Sequence, residues 1–501
     1  MVGWTQQRPR SEDDPARLAS LGGNYCLVRA EHDGLVAARG TSAGPSLYIR
    51  TEDDTVLVST EFGALARLGG TLDVAKLAAL SIGARAIDDE RTVLREVRRV
   101  VGYTAWRYSA GRGCRSEGRR PAPPEVHGSA DDLADALNEV LDRAIERAAT
   151  GHCRVGVMVG GIDSSIVLAR AHALGLDLVP TTFDFSSPTT DSPHVARLCE
   201  HLGLGCVRVI PEACRDAVRS CMVVDDAPCG HPAMAMQVGL QRAAYRVGAT
   251  VLLSGTGGDE VLGGRDPTTA LVEALRRGDL RAAREVSTAA PGEQVGRLVR
   301  YFARSFQPTW LRRQRHRRTS VPWAGPVARA ERERLLDQTS RPSPGSTEGR
   351  YALLERHPDW QEIADERDRM NTSFFPPVAT PLLDDEVVRF TASLRPSALF
   401  QGGMHRGLAR HAARGILPSS VRLRLEKAEF EPALAAMSAP LSQFATLSRL
   451  SRLSDLGIVE PGAFRTAYQT LCNDPASPTH AHLWLPIWAA LSVESYLQGR
   501  S

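Results

Sequence analysis

The chain has 501 residues, 43% of them apolar and 24% charged, with a formal net charge of +3. That length allows two or three domains with large cores, and the near-balanced charge excludes a general affinity for nucleic acid. No apolar run resembles a signal peptide or reaches the length of a membrane span, so the expected compartment is the cytoplasm.

Residues 20–68 alternate short apolar runs with turn residues. "NYCLVRA", "GLVAARG", "SLYIR" and "TVLVSTEF" read as strands of an antiparallel sheet. "LDVAKLAALSIG" reads as a helix closed by Gly83. From Arg107 to Ser129 the chain is rich in Gly, Arg and Pro, which marks a domain boundary. We therefore expect one domain over 1–118 and a second over 119–501. "SADDLADALNEVLDRAIERAA" opens the second as an amphipathic helix with Ser129 as N-cap.

The second part begins as alternating strands and helices. "RVGVMV", "LDLVPTTFDF" and "GATVLLSG" are apolar enough for parallel strands buried on both faces. "SSIVLARAHALG", "SPHVARLCEHLG" and "AMQVGLQRAAYRVG" separate them with helical periodicity, the first starting near Ser164. This order predicts a doubly wound parallel sheet, with ligands at the carboxyl ends of its strands. After about residue 266 the pattern is mostly helical. "LRRQRHRR", Leu311 to Arg318, carries five arginines that could grip phosphate or an acidic peptide, or be a solvated face.

Nine cysteines occur and no C-x-x-C, which argues against a disulfide framework or zinc ribbon. Five lie between Cys199 and Cys229 near His194, His201 and His231, at spacings that match no ligand pattern; buried, reduced thiols are the simpler reading.

Two loops carry the chemistry. In "VGGIDSS", Val159 to Ser165, glycines let backbone N–H groups approach an anion, and the following helix adds free donors and a favourable dipole. Ser164 and Ser165 offer hydroxyls. Asp163 would repel a triphosphate unless a divalent cation sits between them, so it predicts Mg²⁺. The loop is neither a Walker loop nor a dinucleotide fingerprint. "VLLSGTGGDEVLGG", Val251 to Gly264, is a second strand followed by a glycine-rich turn, with Asp259 inside it. Neighbouring strands would bring Asp163 and Asp259 together as a magnesium pair.

The pair "GGIDSS" and "SGTGGDE" resembles the pyrophosphate loop and second ATP loop of the asparagine synthetase family. "VATPLLDDEVVRF", "HRGLARHAARGILPSSV" and "RLEKAEF" resemble three further segments of that family, and the last places Lys427 on its catalytic lysine. "LGGNYCLV", "GLVAARGTSAGPSLYI" and "STEFGAL" resemble strands of its N-terminal glutaminase domain. The resemblance implies an Ntn-type antiparallel domain, then an ATP-pyrophosphatase domain with a helical C-terminal portion. It implies that a carboxylate attacks ATP to give an acyl-adenylate, which an amine then attacks, releasing AMP. Lys427 would stabilise the developing charge. It is one of only two lysines in an arginine-rich chain, and a compact ammonium suits that role better than a planar guanidinium.

Departures from the family narrow the expectation. The chain begins "MVGW", with Val2 where the glutaminase has its nucleophilic cysteine, so the N-terminal domain would be degenerate and the nitrogen would come from a substrate amine. Thr256 stands where asparagine synthetases have glutamate and β-lactam synthetases tyrosine, and threonine is a poor base. A degenerate glutaminase domain with a "TGGDE" loop resembles the lasso peptide cyclases, which join a peptide's N-terminal amine to an Asp or Glu side chain. Val159 replaces the family's serine, removing a hydroxyl donor worth about 1.5–3 kcal/mol to phosphate binding.

The expected function is ATP-dependent macrocyclisation of a precursor peptide, with a leader peptidase and a leader-binding protein as partners. Asp163 and Asp259 would hold Mg²⁺. Gly160, Gly161, Ser164, Ser165, Ser254 and Gly255 would cradle ATP, and Met158 and Phe183 would flank the adenine. β-Lactam synthetase-like closure of a small molecule, an amide ligase using free ammonia, and a non-catalytic peptide or nucleotide scaffold are the alternatives.

Overall fold

A computed structural model describes residues 1–84, 89–109, 112–118, 120–185, 190–264, 267–289, 321–338, 358–426, 428, 431–438 and 441–500. Its architecture is mixed α/β, with antiparallel sheets in the N-terminal part and a parallel sheet after them.

The N-terminal strands divide between two sheets rather than sharing one. β1 (Val2–Gly3), β2 (Tyr25–Glu31), β3 (Gly34–Arg39), β7 (Thr104–Ser109) and β8 (Arg112–Glu117) form the first, in that order. The second has the order β5-β4-β6, from β4 (Tyr48–Glu52), β5 (Thr55–Ser59) and β6 (Val97–Arg99). One apolar cluster, including Cys26, Ala37, Ile49 and Trp106, draws residues from both sheets. The tail of "TVLVSTEF" leaves its strand and enters a short helix, Phe62–Ala66. The helix expected next is α1 (Val74–Ser81), capped by Asp73, and Gly83 adopts φ +64° just beyond it.

The Gly/Arg-rich boundary stretch is not all linker. Its "RGCRSE" forms β8 along the edge of the first sheet, antiparallel to β7. An edge strand exposed along most of its length needs no apolar face, and its arginines discourage pairing with other chains. The chain then runs extended to Ser129. This residue accepts from the Asp132 N–H at 3.1 Å, while Asp132 accepts from the Ser129 N–H at 2.9 Å. That reciprocal pair starts α2 (Ala130–Ala149).

The parallel sheet contains β9 (Val155–Met158), β10 (Leu178–Phe183), β11 (Val207–Val209), β12 (Val251–Leu253) and β13 (Val378–Ala379), ordered β11-β10-β9-β12-β13. β10 and β12 are buried along their whole length, as strands covered on both faces must be. α3 (Ile162–Ala173), α4 (Ser192–His201) and α5 (Met234–Arg246) fall on the predicted helical stretches. α3 starts two residues before Ser164, so Asp163 lies in its first turn. The short β13, unforeseen in the mostly helical C-terminal region, completes the sheet.

One segment among several fastens the two parts together. Asp384 and Asp385, from "TPLLDDEVV", accept from Trp4 Nε1 at 3.2 Å and from the Gly23 N–H at 2.8 Å. Arg147 and Arg120 pair with the same two carboxylates, each at 2.6 Å. Among the described residues no helix is long and apolar enough to cross a membrane.

Candidate active site

β9 leads to β10 on one side of the sheet, and β12 lies against its other side. The strand order reverses at this pair, which opens a crevice at the carboxyl ends. Both glycine-rich loops emerge there and touch. A Cβ on Gly255 would stand 2.5 Å from the Ser164 nitrogen, and one on Gly258 would run into the Asp163 carboxylate. Only glycine permits that approach. Gly257, at φ +95°, caps the one-turn helix α6 (Gly258–Val261), which carries Asp259. Within the second loop Ser254 Oγ and Thr256 Oγ1 lie 2.7 Å apart, and the Thr256 N–H donates to Ser254 Oγ at 3.2 Å.

The expected carboxylate pair is brought together, but by a side chain the sequence reading did not single out. Arg406 donates from Nε and Nη2 to the two oxygens of Asp163 at 2.5 and 2.8 Å, and Nη2 also reaches Asp259 Oδ1. The guanidinium is buried and the residue sits at φ +56°, ahead of helix α7 (Gly407–Ala412). A left-handed conformation in a non-glycine residue costs roughly 1 kcal/mol or more. The bidentate charged pair, with the bond from the Arg406 N–H to the Gly263 carbonyl at 2.8 Å, offsets it. A resident guanidinium therefore also neutralises this pair, beside the divalent cation expected there.

Among the described residues no group of three or more His, Cys, Asp or Glu is placed to hold a metal. Two converging carboxylates still suit Mg²⁺, which takes one or two protein carboxylates and completes its shell with substrate phosphates and water. Asp163 and Asp259 are the residues that would hold it, with Arg406 competing for the same oxygens.

A cleft of about 430 Å³ opens beside the loops, within the range of small-ligand sites. Met158, Gly160, Gly161, Asp163, Ser164, Phe183, Ser254 and Gly255 all line it, and Phe185, Met234 and Leu240 add apolar wall. Against it lies a smaller polar recess of about 70 Å³. Gly160, Gly161, Asp163 and Ser165 border this recess, with His194, Arg406, Arg410 and Arg424 supplied from elsewhere in the chain. Arg424 pairs with Asp191 at 2.5 Å. Burial first, then Arg424 and Arg197, push the His194 imidazole below its usual pKa. Its Nδ1 is buried and makes no hydrogen bond among the described residues. Basic groups around glycine N–H groups at a helix start can hold a polyphosphate chain.

Some predicted donors are engaged inside the loop. Ser165 is 1% exposed and its hydroxyl donates to the Gly161 carbonyl at 2.9 Å. Ser164 Oγ accepts from the Gly160 N–H at 2.9 Å and donates to the same carbonyl at 3.1 Å. In this conformation the serines brace the turn, and the donors left for an anion are mainly backbone and arginine. Val159 lies on the wall of the cleft yet is only 5% exposed, with its side chain packed in the apolar core under the sheet.

Lys427 and the arginine-rich 311–318 segment lie outside the described residues. At the other end of the chain, Val2 pairs with Cys26 in the register of β1 and β2. That neighbouring thiol is no substitute nucleophile: it is 2% exposed, and burial pushes its pKa up.

A search of curated proteins finds no match. A protein-family model described as asparagine synthase matches residues 136–498, a span that holds both loops, their crevice, Arg406 and the C-terminal helix. With two phosphate-type loops in contact at the sheet's switch point and this match over most of its length, the chain belongs to the asparagine synthase family, whose members are ATP-dependent, AMP-forming carbon–nitrogen ligases.

Proposed function

We infer that the protein is a lasso peptide macrocyclase. It activates an Asp or Glu side chain of a precursor core peptide as the acyl-adenylate, releasing pyrophosphate. The peptide's own N-terminal amine then attacks the acyl carbon, an isopeptide bond forms, and AMP leaves. In this reading residues 1–118 are a degenerate glutaminase-like domain and residues 119–501 the synthetase domain. Phe183 and Met158 flank the adenine. Gly160, Gly161 and Gly255 present backbone to the phosphates. Arg406, Arg424 and the start of α3 hold the pyrophosphate, and Asp163 and Asp259 hold the accompanying Mg²⁺. Lys427 stabilises the acyl-transfer transition state.

One observation carries the reading. The synthetase loops are in place while the position of the ammonia-releasing nucleophile is valine, and its nearest thiol is buried. In this reading the nitrogen nucleophile arrives with the substrate, and an intramolecular amine gains the large advantage of proximity.

The test is to incubate the protein with ATP, Mg²⁺ and the peptide encoded by a short neighbouring reading frame, alongside the expected leader peptidase and leader-binding protein. Loss of one water from the peptide, with AMP and pyrophosphate formed in equal amounts, is the expected result. Lys427→Ala should abolish it. Turnover of a small amino-acid derivative instead, or ammonia-dependent amide formation, overturns the reading.

A further inference from the structure

A second cavity, of about 410 Å³, lies between the N-terminal sheets and the C-terminal helices, away from the paired loops. α8 (Pro358–Ser373) and α9 (Ala481–Gln498) form one side of it; β4, β6 and α1 form the other. Gly230 and His231 line this cavity, while Ala233, Met234 and Met236, a few residues on, line the nucleotide cleft. One layer of chain therefore divides the two spaces.

Hydrogen-bond accounting in this cavity leaves a remainder. Lys76 pairs with Asp89 and Glu362, both at 3.1 Å. Arg99 pairs with Glu362 at 3.0 Å and Asp365 at 2.8 Å. Arg91 pairs with Asp89 at 2.9 Å and Glu331 at 2.7 Å. Glu366 accepts from the Gly230 N–H at 2.5 Å and, with Asp365, lies within electrostatic reach of Arg369 without bonding to it. Arg369 lines the same cavity and, among the described residues, makes neither an ion pair nor a hydrogen bond; its Nε is buried without a partner. Tyr48, 3% exposed, lines the cavity too, and its hydroxyl makes no hydrogen bond among the described residues.

Buried polar groups of native proteins almost always find partners, and a guanidinium is among the most costly to leave without one. Five N–H donors beside one O–H donor suit a carboxylate. Phosphate dianion fits less well, because it needs a second free cation, and Lys76, Arg91 and Arg99 are already matched by carboxylates. The other walls, Phe62, Leu80, Leu485 and Ala489, are apolar.

The geometry points to a second ligand site at the junction of the two parts, which binds a monocarboxylate with an apolar body on Arg369 and Tyr48. The carboxylate is that of a small free acid or of a peptide's C-terminus. This site does not depend on which acyl substrate the enzyme activates.

Calorimetric titration of the full-length protein tests it with two probe pairs: 3-phenylpropionate against its amide, and the tripeptide Gly-Gly-Phe against its C-terminal amide. At least one acid should bind about tenfold or more tightly than its amide, the range of a charge-assisted hydrogen bond. Preference for the tripeptide acid identifies a chain terminus as the source, and preference for 3-phenylpropionate a free acid. Arg369→Met should erase the preference while the protein stays folded, since no direct hydrogen bond or ion pair is broken. Should Arg369→Met misfold, Tyr48→Phe carries the test and must weaken acid binding severalfold. Equal binding of acids and amides, or acid binding unchanged in these variants, overturns the proposal.

Discussion

Arg406 can be removed to ask what holds the two loops together. Arg406→Met keeps an apolar stem but takes the guanidinium from two facing carboxylates. The Arg406 side chain is 5% exposed and Asp163 18%, whereas Asp259 is 46% exposed. Breaking a buried pair costs about 3–5 kcal/mol through the charge left behind. Asp163 keeps some solvent, so its arm belongs at the low end of that range, and the half-exposed Asp259 arm adds only about 0.5 kcal/mol. The expected loss is about 3 kcal/mol, read as a lower urea midpoint at unchanged slope. Magnesium then separates neutralisation by Arg406 from neutralisation by metal. With the guanidinium gone Mg²⁺ no longer competes with it for the carboxylates, and a concentration ten times the dissociation constant returns about 1.4 kcal/mol. Wild type, with its clamp in place and no ATP, should gain clearly less. A destabilisation below about 1 kcal/mol, or equal stabilisation of both proteins by Mg²⁺, would refute the reasoning.

Val159→Ser exchanges buried methyl groups for a hydroxyl at a 5% exposed position and should cost about 1–3 kcal/mol of stability; ATP affinity measured beside it rises only if that hydroxyl reaches phosphate. Gly258→Ala drives a methyl into Asp163, so overpacking should cost about 1–3 kcal/mol and weaken ATP binding, and a crystal structure with both loops unmoved would contradict this. Because the His194 pKa is lowered in the folded protein, the unfolded chain binds more protons just below about pH 6.5, so its contribution to stability is intact above that pH and is lost as pH falls through it. A phosphate in the recess would favour imidazolium, so ATP binding near pH 6.5 should take up protons in wild type and fewer in His194→Gln, measured by calorimetry in buffers of differing ionisation enthalpy.

The parallel sheet and its loops were legible because the signal was local. Apolar runs such as "VLL" ended in glycine-rich turns, and alternation of strand and helix fixes where such turns gather. The N-terminal strands were legible as strands, but period-two alternation says only that a face is buried and not which sheet the strand joins. β8 was hidden because its side chains are mostly exposed on both faces, leaving no apolar pattern to detect. Arg406 was hidden for another reason: it lies 243 residues from Asp163 and 147 from Asp259, so their meeting is purely tertiary. Its stretch, "HRGLARHAARGILP", was already among the family-like motifs, and asking which cation in that motif could answer two carboxylates would have found it.

The N-terminal part has a structural role at the crevice. β13 pairs with β12, the strand that delivers Asp259 to the crevice. A Cβ on Gly257 would strike Leu383, so the turn that aims Asp259 rests directly on the segment following β13. The next two residues, Asp384 and Asp385, grip Trp4 and Gly23 of the N-terminal side, and Asp385 also holds Arg120. Asp385 is 1% exposed, and a carboxylate so buried is tolerable only while those donors remain. Deleting the N-terminal part would strip partners from both carboxylates within a few residues of the second loop. Its support of the crevice is spread over several buried polar contacts and cannot be removed piecemeal. Selection acting only on the synthetase reaction would therefore keep these sheets.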